Sequence, residues 1–276
     1  MAMTEVLGQA AVVLRTADGA EATVLLHGAH VVSWRPVGLP EQLYLSPRAQ
    51  AGPGRAVRGG IPVIFPQFER RGPLPRHGFA RDRAWTLVEH GPQRQHAQAV
   101  LRLTDTGATR AVWPHAFEAE LTVSLSGRAL EMELAVLNTG DRAFEFTAAL
   151  HTYLRCDDVR EARVSGLRGC DFEDCVSGAT HRQEIEPQTI VGEIDRLYAD
   201  VATPVVLQSP QQRIAVSADG FPDRVLWNPG PVKAAALADL PDDDWLRMLC
   251  IETACIVRPV PLAAGQEWFA RQTLQA

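Results

Sequence analysis

Residues 121–136 read LTVSLSGRALEMELAV, and their alternation decides the fold. Leu121, Val123 and Leu125 alternate with polar or small residues, Gly127 turns the chain, and Leu130, Met132, Leu134 and Val136 resume the period of two. Successive side chains of a strand point to opposite faces, so this pattern reads as a hairpin with one apolar face. Working outward, similar short runs occupy residues 23–26, 31–34, 84–88, 98–103, 144–154, 205–208, 213–217, 224–227, 248–256 and 267–274. They are broken by Gly, Pro, Asn and Asp, with no long helical pattern between them. The expectation is an all-β fold, a large antiparallel β-sandwich, with helix confined to a turn or two near residues 242–247.

The chain has 276 residues, 46% of them hydrophobic, enough to bury a large core. No linker divides it, so one domain over residues 1–276 is expected. With 27 basic and 33 acidic side chains the net charge is −6, and no basic patch interleaved with exposed aromatics appears, which argues against nucleic acid. AAVVL near the N-terminus is too short to span a membrane or to target the chain, so a soluble, cytoplasmic protein without membrane partners is expected. The five Cys form an odd set without a CxxC pair, which suggests neither a disulfide framework nor a zinc knuckle. Lys233 is the only lysine, so Schiff-base chemistry would rest on one residue and is discounted. Walker, GxGxxG, GxSxG and HExxH motifs are all absent, and neither a metal nor another cofactor is expected.

Positive charge is concentrated in one place. Residues 55–83, RAVRGGIPVIFPQFERRGPLPRHGFARDR, carry seven Arg against Glu69 and Asp82, a local balance of +5 that leaves about −11 for the rest. Gly59, Gly60, Pro62, Pro66, Gly72, Pro73, Pro75 and Gly78 rule out a continuous helix, while Ile61, Val63, Ile64 and Phe65 would anchor the segment to a core. Arg58, Arg76, His77 and Arg81 are therefore expected on a stiff loop suited to a small anion such as phosphate. The competing reading is a solvated face of charge.

Two ionisable residues sit inside apolar strand patterns. In the run 144–154, Phe144, Phe146, Ala148, Leu150 and Leu154 share one face, with Thr152 as the exception, while His151 and Tyr153 fall on the other. Glu252 interrupts MLCIETACI, otherwise uncharged, where an unpaired carboxylate is costly to bury. Glu252 is then either a buried ion-pair partner of an Arg or a general base with a raised pKa. His151 alone reads as a structural histidine unless a partner faces it.

GAHVVSW (28–34), RGGIPVIFPQF (58–68), LPRHGFAR (74–81), ALHTYL (149–154), EIDRLY (193–198), VLWNP (225–229) and MLCIET (248–253) together resemble the aldose 1-epimerase superfamily, and within it the hexose-6-phosphate mutarotases. The resemblance spans nearly the whole chain and implies a galactose-mutarotase-like β-sandwich. It further implies that His151 is the general acid toward the ring oxygen, Glu252 the general base for the anomeric hydroxyl, and Asp195 a substrate-binding carboxylate. Arg58 and Arg81 match substrate-binding arginines, and a sugar phosphate becomes the expected small-molecule partner. Two positions depart from the family pattern: Arg76 replaces a residue that is often Gln or otherwise neutral, and Thr253 replaces the usual Pro. Three alternatives remain: a mutarotase for unphosphorylated aldoses, a non-catalytic carbohydrate-binding sandwich, and a glycosidase, which needs two carboxylates at a set separation.

Overall fold

The computed structural model describes residues 2–92 and 96–276. Its hairpin at residues 121–136 belongs to the strands Phe117–Ser126 and Ala129–Asn138, joined through Gly127 and Arg128. Leu121 lies opposite Leu134, Val123 opposite Met132 and Leu125 opposite Leu130, forming one buried apolar ladder.

That hairpin lies within a nine-stranded sheet running from Gln188–Thr189 at one edge to Thr86–Pro92 at the other. An eight-stranded sheet faces it. In that sheet Ala179–Arg182, Asp171–Asp174, Ile194–Tyr198, Asp223–Asn228, Met248–Leu262, Phe144–Leu150 and Val63–Ile64 follow in order, with Tyr153–Arg155 also pairing to Met248–Leu262. Every strand pair is antiparallel among the described residues. Phe146 of one sheet meets Trp268 of the other edge to face, with ring centroids 5.2 Å apart, and one continuous core joins the layers. A four-stranded N-terminal sheet, Ala2–Val6 to His30–Arg35, packs beside the sandwich.

The eight-stranded sheet is covered on both faces, which explains the near-continuous apolar run at residues 248–256. Ile251 and Cys255 join the main core, while Ala254 and Ile256 join Ile64, Phe68, Ala149, Leu197 and Val225 in a second apolar layer. Glu252 shares the parity of Ala254 and Ile256 and therefore points to the outer side.

Several sequence expectations need correction. The run 144–154 is two strands: Leu150 ends one and Tyr153 begins the next, with His151 and Thr152 in the break. There the His151 N–H donates to Pro62 O (3.1 Å) instead of a ladder partner. Thr152, the exception to the apolar face, points into the core, where its hydroxyl donates to Gln272 Oε1 at 2.9 Å. Thr253 donates to the same oxygen at 3.2 Å, and its register opposite Leu150 is regular, so the missing proline leaves the strand undistorted. The turn of helix expected near 242–247 is present as a 3-10 turn, Asp244–Arg247, whereas two short helices, Gly107–Val112 and Gly230–Ala235, were not expected.

Candidate active site

The loop of residues 55–83 is built by glycines at close approaches. Gly60 has φ +62°, and a Cβ there would lie 2.3 Å from Val31 O, so only glycine lets this turn press onto the N-terminal sheet. His30, fully buried beneath it, lies 2.7 Å from Gly59 O through Nε2, the arrangement of an Nε2–H donor. The chain then enters the sandwich as Val63–Ile64 and returns at Gly78, where a Cβ would meet Phe65 O at 2.2 Å. Arg58 is thereby held on the outgoing limb, and Arg76, His77 and Arg81 on the returning one.

These limbs border a cleft of about 170 Å³ on the outer face of the eight-stranded sheet. Its floor comes from neighbouring strands: Asp195, Val225 with Trp227, Glu252, and His151 at the strand break. The tertiary fold thus brings all seven residues singled out from the sequence, Arg58, Arg76, His77, Arg81, His151, Asp195 and Glu252, to one cavity.

His151 Nδ1 and Glu252 Oε1 are 3.3 Å apart, and both side chains are buried. The contact lacks the alignment of a hydrogen bond: neither His151 Nδ1 nor Glu252 Oε2 has a partner among the described residues. Unpartnered buried polar atoms are costly and demand a reason. Here they leave an acid/base pair with unspent hydrogen-bonding capacity facing a cavity. Burial drives the His151 pKa well below its usual value, with His77, Arg81, Arg58 and Arg76 pushing the same way. Burial also drives the Glu252 carboxyl well above its usual range, reinforced by Asp195 and opposed by Arg81 and Arg76. The imidazole is held by stacking on Tyr153, with centroids 4.7 Å apart and planes 9° apart, while Trp227 meets it edge-on.

His77 adopts φ +64°, accepts the Glu69 N–H at Nδ1 (3.3 Å), and is pushed down to about 2 by burial and by Arg81, Arg76 and Arg58. It is a neutral ring 5.7 Å from His151. The Asp195 carboxyl is raised by burial, with Lys233 opposing.

The basic island is less free than its sequence implies. Arg58 pairs with Asp239, Arg71 with Glu173, Arg76 with Glu69 and Arg83 with Asp82. Only Arg58, Arg76 and Arg81 of the seven line the cleft. Arg81 has no ion-pair partner among the described residues and donates only to Arg76 O at 3.1 Å. Across the lining, Arg58, Arg76, Arg81 and Lys233 face Glu69, Asp195, Asp239 and Glu252, so the formal charges balance. Tyr153, Trp227, Lys233 and Asp239 were not singled out as binding residues. Trp227 and Tyr153 lie within the quoted VLWNP and ALHTYL signatures, whereas Asp239, 181 residues from Arg58, has no local signal.

A family model for aldose 1-epimerases matches residues 10–275. The chain belongs to the aldose 1-epimerase family. It is accordingly an isomerase of the mutarotase type. It is 36% identical over 277 residues to a Cenchrus ciliaris protein provisionally named glucose-6-phosphate 1-epimerase, covering 96% of this chain and 84% of that one. The crystal structure of a provisionally assigned mutarotase from Salmonella typhimurium superposes with TM-score 0.91 at 30% identity, over 99% of this chain and 92% of the other. A galactose mutarotase related enzyme from Lactobacillus acidophilus shares the fold alone, with TM-score 0.73 and 17% identity over 95% and 96% of the two chains.

Proposed function

We propose that this mutarotase interconverts the α and β anomers of a hexose 6-phosphate, glucose 6-phosphate first among them. The observation that carries the chemistry is the buried His151–Glu252 pair, 3.3 Å apart with unspent polar atoms over an open cleft. In the substrate complex the proton that burial leaves on Glu252 passes to His151, and the Glu252 carboxylate, a stronger base for its raised pKa, takes the proton from the anomeric hydroxyl. His151 delivers a proton to the ring oxygen, the C1–O5 bond breaks, and the free aldehyde forms. Rotation about C1–C2 presents the other carbonyl face, and the reverse transfers reclose the ring as the opposite anomer. Atoms and electrons balance without an external oxidant or reductant. His151 is neutral in the free site because burial disfavours its cation, and His77 and the arginines around it push the same way. A phosphate dianion beside those arginines cancels part of that repulsion, so substrate binding favours the protonated imidazole.

The phosphate assignment is supported by Arg81, a largely desolvated guanidinium without an ion-pair partner among the described residues, and by the name of the Cenchrus ciliaris relative. Asp195 is suited to accept from sugar hydroxyls. The balanced lining charge favours a second reading, a mutarotase for neutral aldoses. Polarimetric anomerisation of glucose and glucose 6-phosphate separates the two. Preference for the phosphorylated sugar is expected, equal acceleration of both defeats the phosphate assignment, and acceleration of neither defeats the enzymatic reading.

A further inference from the structure

Arg58, at the mouth of the cleft, already has a partner on each of its three nitrogens. Its Nε donates to Asp239 Oδ2 at 3.2 Å, its Nη2 lies 3.2 Å from Asp239 Oδ1, and its Nη1 donates to the Tyr153 hydroxyl at 3.0 Å. A two-pronged carboxylate is the geometry in which a guanidinium also receives phosphate oxygens. The fold sets this pair up through its backbone. The Ser46 N–H donates to Arg58 O at 3.1 Å, and the Ser46 hydroxyl donates to Asp239 O at 2.6 Å. Arg48 Nη1 holds the next carbonyl, Leu240 O, at 3.1 Å. Only main-chain atoms of Asp239 are pinned by these bonds. Its carboxylate, 40% exposed, can swing to solvent while Arg58, 20% exposed, stays in place.

The geometry points to Asp239 as an internal counter-anion that occupies Arg58 in the free enzyme and must be displaced by the phosphate of the substrate, which makes it a specificity-determining residue. This rests on the hexose-phosphate reading above. A monoester dianion carries about −1.5 to −2 charges at neutral pH against −1 for a carboxylate, so it outcompetes Asp239. A neutral hydroxyl does not, and an unphosphorylated sugar leaves the pair closed. Asp239 thus lowers affinity for every ligand that uses Arg58 while preserving discrimination between phosphorylated and neutral sugars. Because Arg58 also holds Tyr153, on which His151 stacks, the exchange of partners takes place one side chain from the imidazole.

The test is calorimetric titration of the full chain with inorganic phosphate and with glucose 6-phosphate, in wild type, Asp239→Asn, Arg58→Met and the double variant. Asp239→Ala serves as a second replacement should the amide retain the pair. Partly exposed ion pairs are weak, so opening this one is expected to tighten both ligands by about threefold to tenfold. The gain should vanish in the Arg58→Met background, as a double-mutant cycle requires of a direct coupling. Unchanged or weaker binding in both Asp239 variants overturns the inference and makes Asp239 an orienting partner. A gain that persists without Arg58 also overturns it, because the effect is then a general change of field. If wild type binds neither ligand, the hexose-phosphate reading falls and the inference with it.

Discussion

Glu252→Gln keeps the volume of a fully buried side chain while removing its capacity to take a proton, and it is predicted to separate activity from stability. A general base contributes roughly 10²- to 10⁴-fold, so the turnover number should fall by that factor with substrate still bound. Stability should move the other way. Burial holds the Glu252 pKa well above its usual value, so the folded protein keeps a proton that the unfolded chain loses above about pH 4.3. Stability from this group is therefore complete below that pH and is lost, at about 1.4 kcal/mol per pH unit, as pH rises toward the folded-state pKa. Glutamine does not titrate and escapes the loss. Since about 1 kcal/mol shifts Tm by roughly 2–4 °C in a chain of this size, the variant should melt above wild type at pH 8 by that interval for each kcal/mol of the loss it escapes, with the gap closing toward pH 5. Polarimetry of glucose 6-phosphate anomerisation and calorimetric melting at both pH values provide the two readings. Wild-type turnover in the variant would remove Glu252 from the mechanism, and a variant several degrees less stable at pH 8 would refute the burial argument.

Arg81→Ala should lower kcat/KM for hexose 6-phosphate by roughly 10- to 100-fold, the worth of a hydrogen bond to a charged group, and affect glucose much less; a parallel loss for both sugars means that Arg81 holds the ring or the loop. Burial lowers the His30 pKa to about 4, so its stability contribution is present above about pH 6.5 and lost as pH falls toward 4. His30→Gln, whose amide can keep the bond to Gly59 O, should spare up to about 3 kcal/mol of that acid loss; identical urea-unfolding profiles between pH 7 and 4 contradict this. Gly60→Ala combines a positive φ with a Cβ 2.3 Å from Val31 O and should cost about 1–3 kcal/mol or more in urea unfolding. A neutral result there shows that the loop can move off the N-terminal sheet.

The architecture was legible because it is written in adjacent residues. The hairpin at 121–136 alternates because one sheet face packs a core, and residues 248–256 do not alternate because their sheet is covered on both faces. The break at His151 was hidden for the same reason, since Thr152 is as buried as its apolar neighbours and shows its polarity only against Gln272. His151 and Glu252 were conspicuous as ionisable groups in apolar runs, and the resemblance supplied the suggestion of a shared cleft. Their 3.3 Å approach and unspent polar atoms required neighbouring strands to be placed side by side. The seven arginines of residues 55–83 could be counted, with Glu69 and Asp82 beside them, but not the distant counter-charges: Asp239 and Glu173 come from segments more than a hundred residues away. Periodicity and turn chemistry are set by near neighbours in the chain and so determine which strands form. The charge a ligand meets depends on which side chains converge through space, and that was decided only by the tertiary structure.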